Sequence, residues 1–134
     1  MAVEFIWDDL YSVGRADIDD QHKSIFSIAN TVPDTLDKGM LNYTIMRLYL
    51  YTTDHFSAEE QMMKDIGFPK LEYHKALHDE LTARLQMIST ELFDDLDSLA
   101  RFKEFVHKWI VGHILTHDME YFEFARSQGG WKPV

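Results

Sequence analysis

The chain contains no cysteine. That excludes disulfides, thiolate zinc sites and iron–sulfur clusters, so any bound metal must be held by nitrogen and oxygen. Positive charge is scarce: 13 Lys and Arg stand against 23 Asp and Glu, for a net charge of −10. Such a surface argues against nucleic acid, whose binding needs a basic face, and fits plain solubility. No apolar run approaches the ~18 residues of a membrane span. The start, Met1-Ala2-Val3-Glu4, has neither the basic head nor the apolar core of a signal peptide, so a cytoplasmic location is expected. Strand alternation, internal repeats and low-complexity segments are also missing.

What remains is an ordinary globular composition, 46% hydrophobic over 134 residues, which sets the expectation of one domain over residues 1–134. Its organising stretch runs from His55 to His78. His55 and Glu59 are four residues apart, as are His74 and His78, and Gly67-Phe68-Pro69 lies between the pairs. Residues i and i+4 share a helix face. Antiparallel packing across the Gly-Phe-Pro turn brings both pairs to similar heights, so three imidazoles and a carboxylate converge between two helices.

In chain order, residues 1–17 carry Phe5, Trp7, Tyr11 and Gly14 without a helical period and read as an ordered arm packed on the domain. Asp17, Asp19 and Asp20 suit a helix start. A first helix is predicted over about 19–38, ending at Gly39, with Pro33 inside it and a kink or break near 29–33. A second is predicted over about 41–65, with Leu41, Ile45, Leu48, Tyr51, Thr52, His55, Met62 and Ile66 as its inner stripe. A third starts near Pro69 and turns Leu71, His74, Leu77, His78, Leu81, Leu85 and Ile88 inward. Residues 90–97 are acidic and read as irregular. A fourth helix is predicted over about 98–126, capped by Asp97 or Ser98 and ended by Gly129-Gly130, with Phe102, Val106, Trp109, Ile110, His113, Ile114 and Tyr121 along it. The pattern predicts an all-α, up-down-up-down antiparallel four-helix bundle. The seven methionines read as core filler.

The histidines fall into register on that bundle. His22 and His55 are nearly equidistant from the first turn, and His113 and Asp118 return to the same layer on the fourth helix. Five imidazoles (His22, His55, His74, His78, His113) and two carboxylates (Glu59, Asp118) form the candidate set. Each buried imidazole needs a partner, and a shared metal supplies one. His107, six residues before His113, faces the other way.

These motifs resemble the hemerythrin family, and in particular its single-domain bacterial members. The resemblance rests on Trp7 with Val13-Gly14, Ile18-Asp19-x-Gln21-His22-Lys23, His55-Phe56-x-x-Glu59-Glu60, Gly67-Phe68-Pro69, His74-x-x-x-His78 and Trp109-x-x-x-His113-x-x-x-x-Asp118, in the right order over nearly the whole chain. It implies reversible O2 binding at two non-haem iron ions joined by an oxo or hydroxo bridge. His74, His78 and His113 would hold one iron, His22 and His55 the other, and Glu59 and Asp118 both. The second iron, one imidazole short, would keep an open position for O2. Ile25, Phe56, Trp109, Ile110 and Ile114 match the family's apolar O2 pocket, and Gln21 and Glu60, next to ligands in sequence, are nominated to orient them.

The candidate ligands of the fourth helix carry a conflict. Five residues separate His113 and Asp118 by about 140° on an ideal α-helix. Spacing alone favours His113 with His117. The resemblance favours Asp118, as does charge, and Asp118 reaches the centre only from the helix flank or through a local π-bulge. Other function classes were weighed. Carboxylate-rich di-iron oxidases use two Glu-x-x-His motifs; this chain has a single one, Glu104-x-x-His107, which leaves only a weak oxidase or peroxidase activity as an alternative. An O2 or redox sensor would need an output domain, and the chain ends at Val134. An O2-consuming enzyme is the expected recipient if the role is delivery.

Overall fold

The structure, a computed structural model, describes residues 5–89 and 95–131. Every regular element among them is helical: a 3-10 turn at Asp9–Tyr11, α1 (Ala16–Ala29), α2 (Lys38–Asp65), α3 (Leu71–Ser89), α4 (Leu96–His113), a π-helical segment at Ile114–Asp118 and α5 (Met119–Ser127). The last three follow one another without a break, so the chain makes four long rods packed as a four-helix bundle.

Local chemistry places the ends, and several differ from the sequence expectation. The first helix stops at Ala29 instead of running to about 38, so Pro33 lies in the loop and not inside the helix. Proline lacks the N–H that a continuing helix needs and pushes Val32 out of helical geometry. The Asn30 amide is also engaged elsewhere: its Oδ1 accepts from Phe5 N–H and its Nδ2 donates to Phe5 O, both at 2.8 Å. Gly39, expected as a helix stop, sits in the first turn of α2, because the Asp37 side chain caps that helix by accepting from Met40 N–H at 2.9 Å. α3 begins at Leu71, two residues after Pro69. α4 is capped by Asp95, whose carboxylate accepts from Ser98 N–H at 2.8 Å. Neither Asp97 nor Ser98 is the cap, and Leu96 and Asp97 are helical; residues 90–94 of the segment read as irregular lie outside the described residues.

Between α2 and α3 the chain turns in a Schellman motif, with Phe68 N–H on Met63 O at 2.9 Å and Gly67 N–H on Lys64 O at 3.1 Å. Gly67 has φ +69, a conformation that costs L side chains and not glycine. The N-terminal segment lies on the bundle. Trp7 and Tyr11 pack on Phe26, and Asp19 accepts from Ser12 Oγ (2.6 Å) and Val13 N–H (2.9 Å).

The core divides into two apolar clusters. One gathers Phe26, Leu48, Phe56, Val106, Trp109 and Ile110, the other Val13, Ile18, Met62, Met63, Phe68 and Tyr121. On each rod the candidate ligands lie along the sequence between members of the two clusters, as His22 lies between Ile18 and Ile25. The methionines do not all fill the core: Met62 and Met63 are buried, whereas Met40, Met46 and Met87 are exposed.

Pro33→Ala is expected to leave the ligand layer intact, because α1 has already ended at Ala29. Its effect should be on unfolding alone, a loss of up to about 1 kcal/mol from added freedom in the unfolded chain. Denaturant titration together with the ligand-bound spectrum checks this, and an altered spectrum would contradict it.

Candidate metal centre

His22, His55, Glu59, His74, His78, His113 and Asp118 converge from all four rods, and none is more than 8% exposed. Their donor atoms form two groups: Glu59, His74, His78, His113 and Asp118 in one, His22, His55 and Glu59 in the other. Asp118 also reaches both. Its Oδ1 lies 3.1 Å from His74 Nε2 and 3.0 Å from His113 Nε2, and its Oδ2 lies 3.1 Å from His22 Nε2. Glu59 divides likewise: Oε1 is 3.2 Å from His78 Nε2, and Oε2 is 3.5 Å from both His22 Nε2 and His55 Nε2. Each carboxylate thus offers one oxygen to a three-imidazole side and the other to a two-imidazole side.

Three neighbours orient these donors. His55 Nδ1 lies 2.6 Å from Gln21 Oε1, and His78 Nδ1 lies 2.9 Å from Glu60 Oε2. Both oxygens only accept, so Nδ1–H donates in each case and Nε2 is turned to the centre. Tyr121 O–H donates to Glu59 Oε2 at 2.7 Å. Burial and the Glu59 carboxylate hold the Tyr121 hydroxyl well above its usual range, so it stays a donor. Burial pushes His55 down to about 4, which keeps it neutral. Burial would lower His22 as well, but the Asp118 and Glu59 carboxylates beside it raise it to about 10. Both carboxylates are held below their usual range in spite of burial, by the surrounding imidazoles. The layer therefore attracts positive charge.

The conflict between His117 and Asp118 resolves in the backbone. Residues Ile114–Asp118 are π-helical, with Met119 N–H bonded to Ile114 O, five residues back. In a π turn, residues i and i+5 are stacked. His113 and Asp118 consequently point the same way, and His117 does not join the cluster. It is a quarter exposed, with its Nδ1 3.7 Å from Glu120 Oε1 and its ring 6.2 Å from that of Tyr73. His107 packs against Phe5, away from the centre.

The donor set fits a pair of cations. His113 Nε2 lies 3.2 Å from both His74 Nε2 and His78 Nε2. At that distance the three nitrogens need a shared proton or a cation among them, since bare lone pairs would repel. Adjacent donors about 2.1 Å from one octahedral ion stand about 3 Å apart, close to the spacings seen. Glu59 Oε1, both oxygens of Asp118 and both nitrogens of His22 are buried without a hydrogen-bond partner among the described residues. Such orphans cost free energy that coordination would recover.

A cavity of about 20 Å³ adjoins the centre. Ile25, Phe56, Trp109, Ile110 and Ile114 line it, along with His22 and His55. One water needs roughly 10–15 Å³ on this measure, so the space is on the scale of a diatomic molecule. Two contributors escaped the sequence reading, which counted them only as interior positions: Tyr121, three residues after Asp118, and Thr52, three before His55. That i±3 relation to a ligand is the signal that could have drawn attention to them.

A family model described as "Hemerythrin HHE cation binding domain" matches residues 13–125. The chain is similar to the bacteriohemerythrin of Clostridium acetobutylicum, at 34% identity over 130 residues, covering 89% of this chain and 99% of the relative. It is 30% identical to the myohemerythrin of Riftia pachyptila over 118 residues, covering 87% and 90%. A crystal structure of wild-type hemerythrin superposes with a TM-score of 0.78 at 27% identity, covering 89% of this chain and 95% of that one.

Proposed function

Because this chain belongs to the hemerythrin family, we propose that it binds O2 reversibly at a non-haem di-iron centre, as an oxygen carrier or store. The observation that supports this best is the two-sided donor set, in which each carboxylate turns one oxygen to each group of imidazoles. His74, His78 and His113 would hold one iron, His22 and His55 the other, with Glu59 and Asp118 joining both. When bound, the two irons, bridged by oxo or hydroxo, supply the electron density that lets O2 bind and leave again.

The protein's own part is selection and orientation. Both imidazoles of the two-imidazole side, His22 and His55, line the cavity, together with His113 and Asp118; the side with fewer imidazoles would keep a ligand position. Its apolar walls limit water, and with it the protons that would carry oxygen off in reduced form. Its size excludes organic substrates, which sets binding apart from oxidase chemistry. Gln21 and Glu60 fix the His55 and His78 rings. Reversible uptake suits storage or delivery to an O2-consuming enzyme.

Purified protein should contain two irons per chain. The optical spectrum of the reduced protein should change on exposure to O2 and revert when O2 is removed. One metal per chain, zinc retained in place of iron, or an irreversible change would count against the proposal.

A further inference from the structure

Thr52 lies on α2, three residues before His55, and is 2% exposed. It lines the same cavity as His22, His55 and Phe56. Its hydroxyl has no hydrogen-bond partner among the described residues. That is unusual for a helical threonine, whose hydroxyl has the carbonyl four residues back within easy reach. Thr53, the next residue, takes that bond, with Oγ1 donating to Tyr49 O at 2.7 Å. Thr82 does the same on α3, donating to His78 O at 2.8 Å. Thr52 does not, and a buried hydroxyl left unpaired destabilises the fold. Valine has nearly the same shape and would fill the position without that cost.

We infer that Thr52 is a hydrogen-bond donor to the ligand of the O2 cavity, its hydroxyl holding that ligand and setting which ligands are retained. The inference rests on the proposed O2 function. A neutral apolar gas gains nothing from the hydroxyl. O2 drawing electron density from the centre, or a small linear anion, becomes an acceptor and gains a hydrogen bond. The other predicted walls, Ile25, Phe56, Trp109, Ile110 and Ile114, offer no O–H. Thr52 is thus the one hydroxyl on the cavity wall, carried by the helix that also carries His55.

The test compares the iron-loaded wild type with Thr52→Val and Thr52→Ser. O2 release, followed by stopped flow against an O2 scavenger, should be about tenfold faster in the valine variant, the effect of one neutral hydrogen bond. Serine should restore the rate to within about twofold, a rescue that a purely packing role would not produce. The melting temperature gives a readout independent of O2 release. In the deoxygenated iron-loaded protein, Thr52→Val should melt a few °C higher than the wild type, and O2 should narrow the gap. Equal release rates in wild type and valine variant, or a valine variant that melts lower when deoxygenated, would overturn the role of Thr52 while leaving O2 binding in place. A wild type that takes up no O2 would overturn the function itself, and this inference with it.

Discussion

Asp118→Ala is expected to abolish the two-metal centre, while His117→Ala keeps two irons and the oxygenated spectrum. Asp118 sits 3.0–3.1 Å from three imidazoles, with an oxygen turned to each side of the site. Removing it takes one donor from each metal and half of the carboxylate charge that offsets them. Five buried imidazoles and Glu59 would then face two cations in a low-dielectric interior, a poorly compensated arrangement. Metal content should fall below one iron per chain and the O2-dependent spectrum should vanish. His117 is separated from the cluster by the π turn. Its loss removes a long contact with Glu120, worth little, and ring contacts with Tyr73, His74 and His113 that involve no donor atom of the centre. Elemental analysis and optical spectra of both variants decide the matter. The reverse pattern, with His117 essential and Asp118 dispensable, would falsify the ligand assignment on the fourth rod.

The second large effect is expected at His55. His55→Ala leaves His22 as the one imidazole on the cavity side, and it strands Gln21 Oε1, now without the Nδ1–H it accepts at 2.6 Å. We expect iron to drop from two per chain to one, held by His74, His78 and His113, and O2 uptake to fall by more than about a hundredfold. The helices should persist in far-UV circular dichroism. The apolar clusters at either side of the layer, built on residues such as Leu48, Val106 and Met63, do not depend on this ligand. Loss of all helical signal would instead make the metal the main support of the fold. An unchanged O2 spectrum would remove His55 from the site.

Much of this was legible without coordinates, because helical periodicity is a short-range property. The i, i+4 pairs His55–Glu59 and His74–His78 needed only a helix to share a face, and matching distances from the turns were enough to level the rods. Helix ends were read less well where a side chain had two possible employments. Asp19 looked like a helix-capping residue, but it bonds the arm at Ser12 and Val13. Asp95, not Asp97 or Ser98, caps α4.

The sequence by itself determined the helical class, the register of the histidine layer and the list of candidate donors, since all three depend on residue type and on spacing within one helix. It left His117 and Asp118 in competition, because ideal α geometry favoured the one and charge the other. Only the tertiary structure decided that, through a π turn at Ile114–Asp118 that brings a residue five positions on into line with His113. Tertiary packing alone also decided which lone hydroxyl faces the cavity, and that the Tyr121 hydroxyl meets Glu59, 62 residues away in the chain. A contact of that span depends on how the rods sit against each other, and no local pattern encodes it.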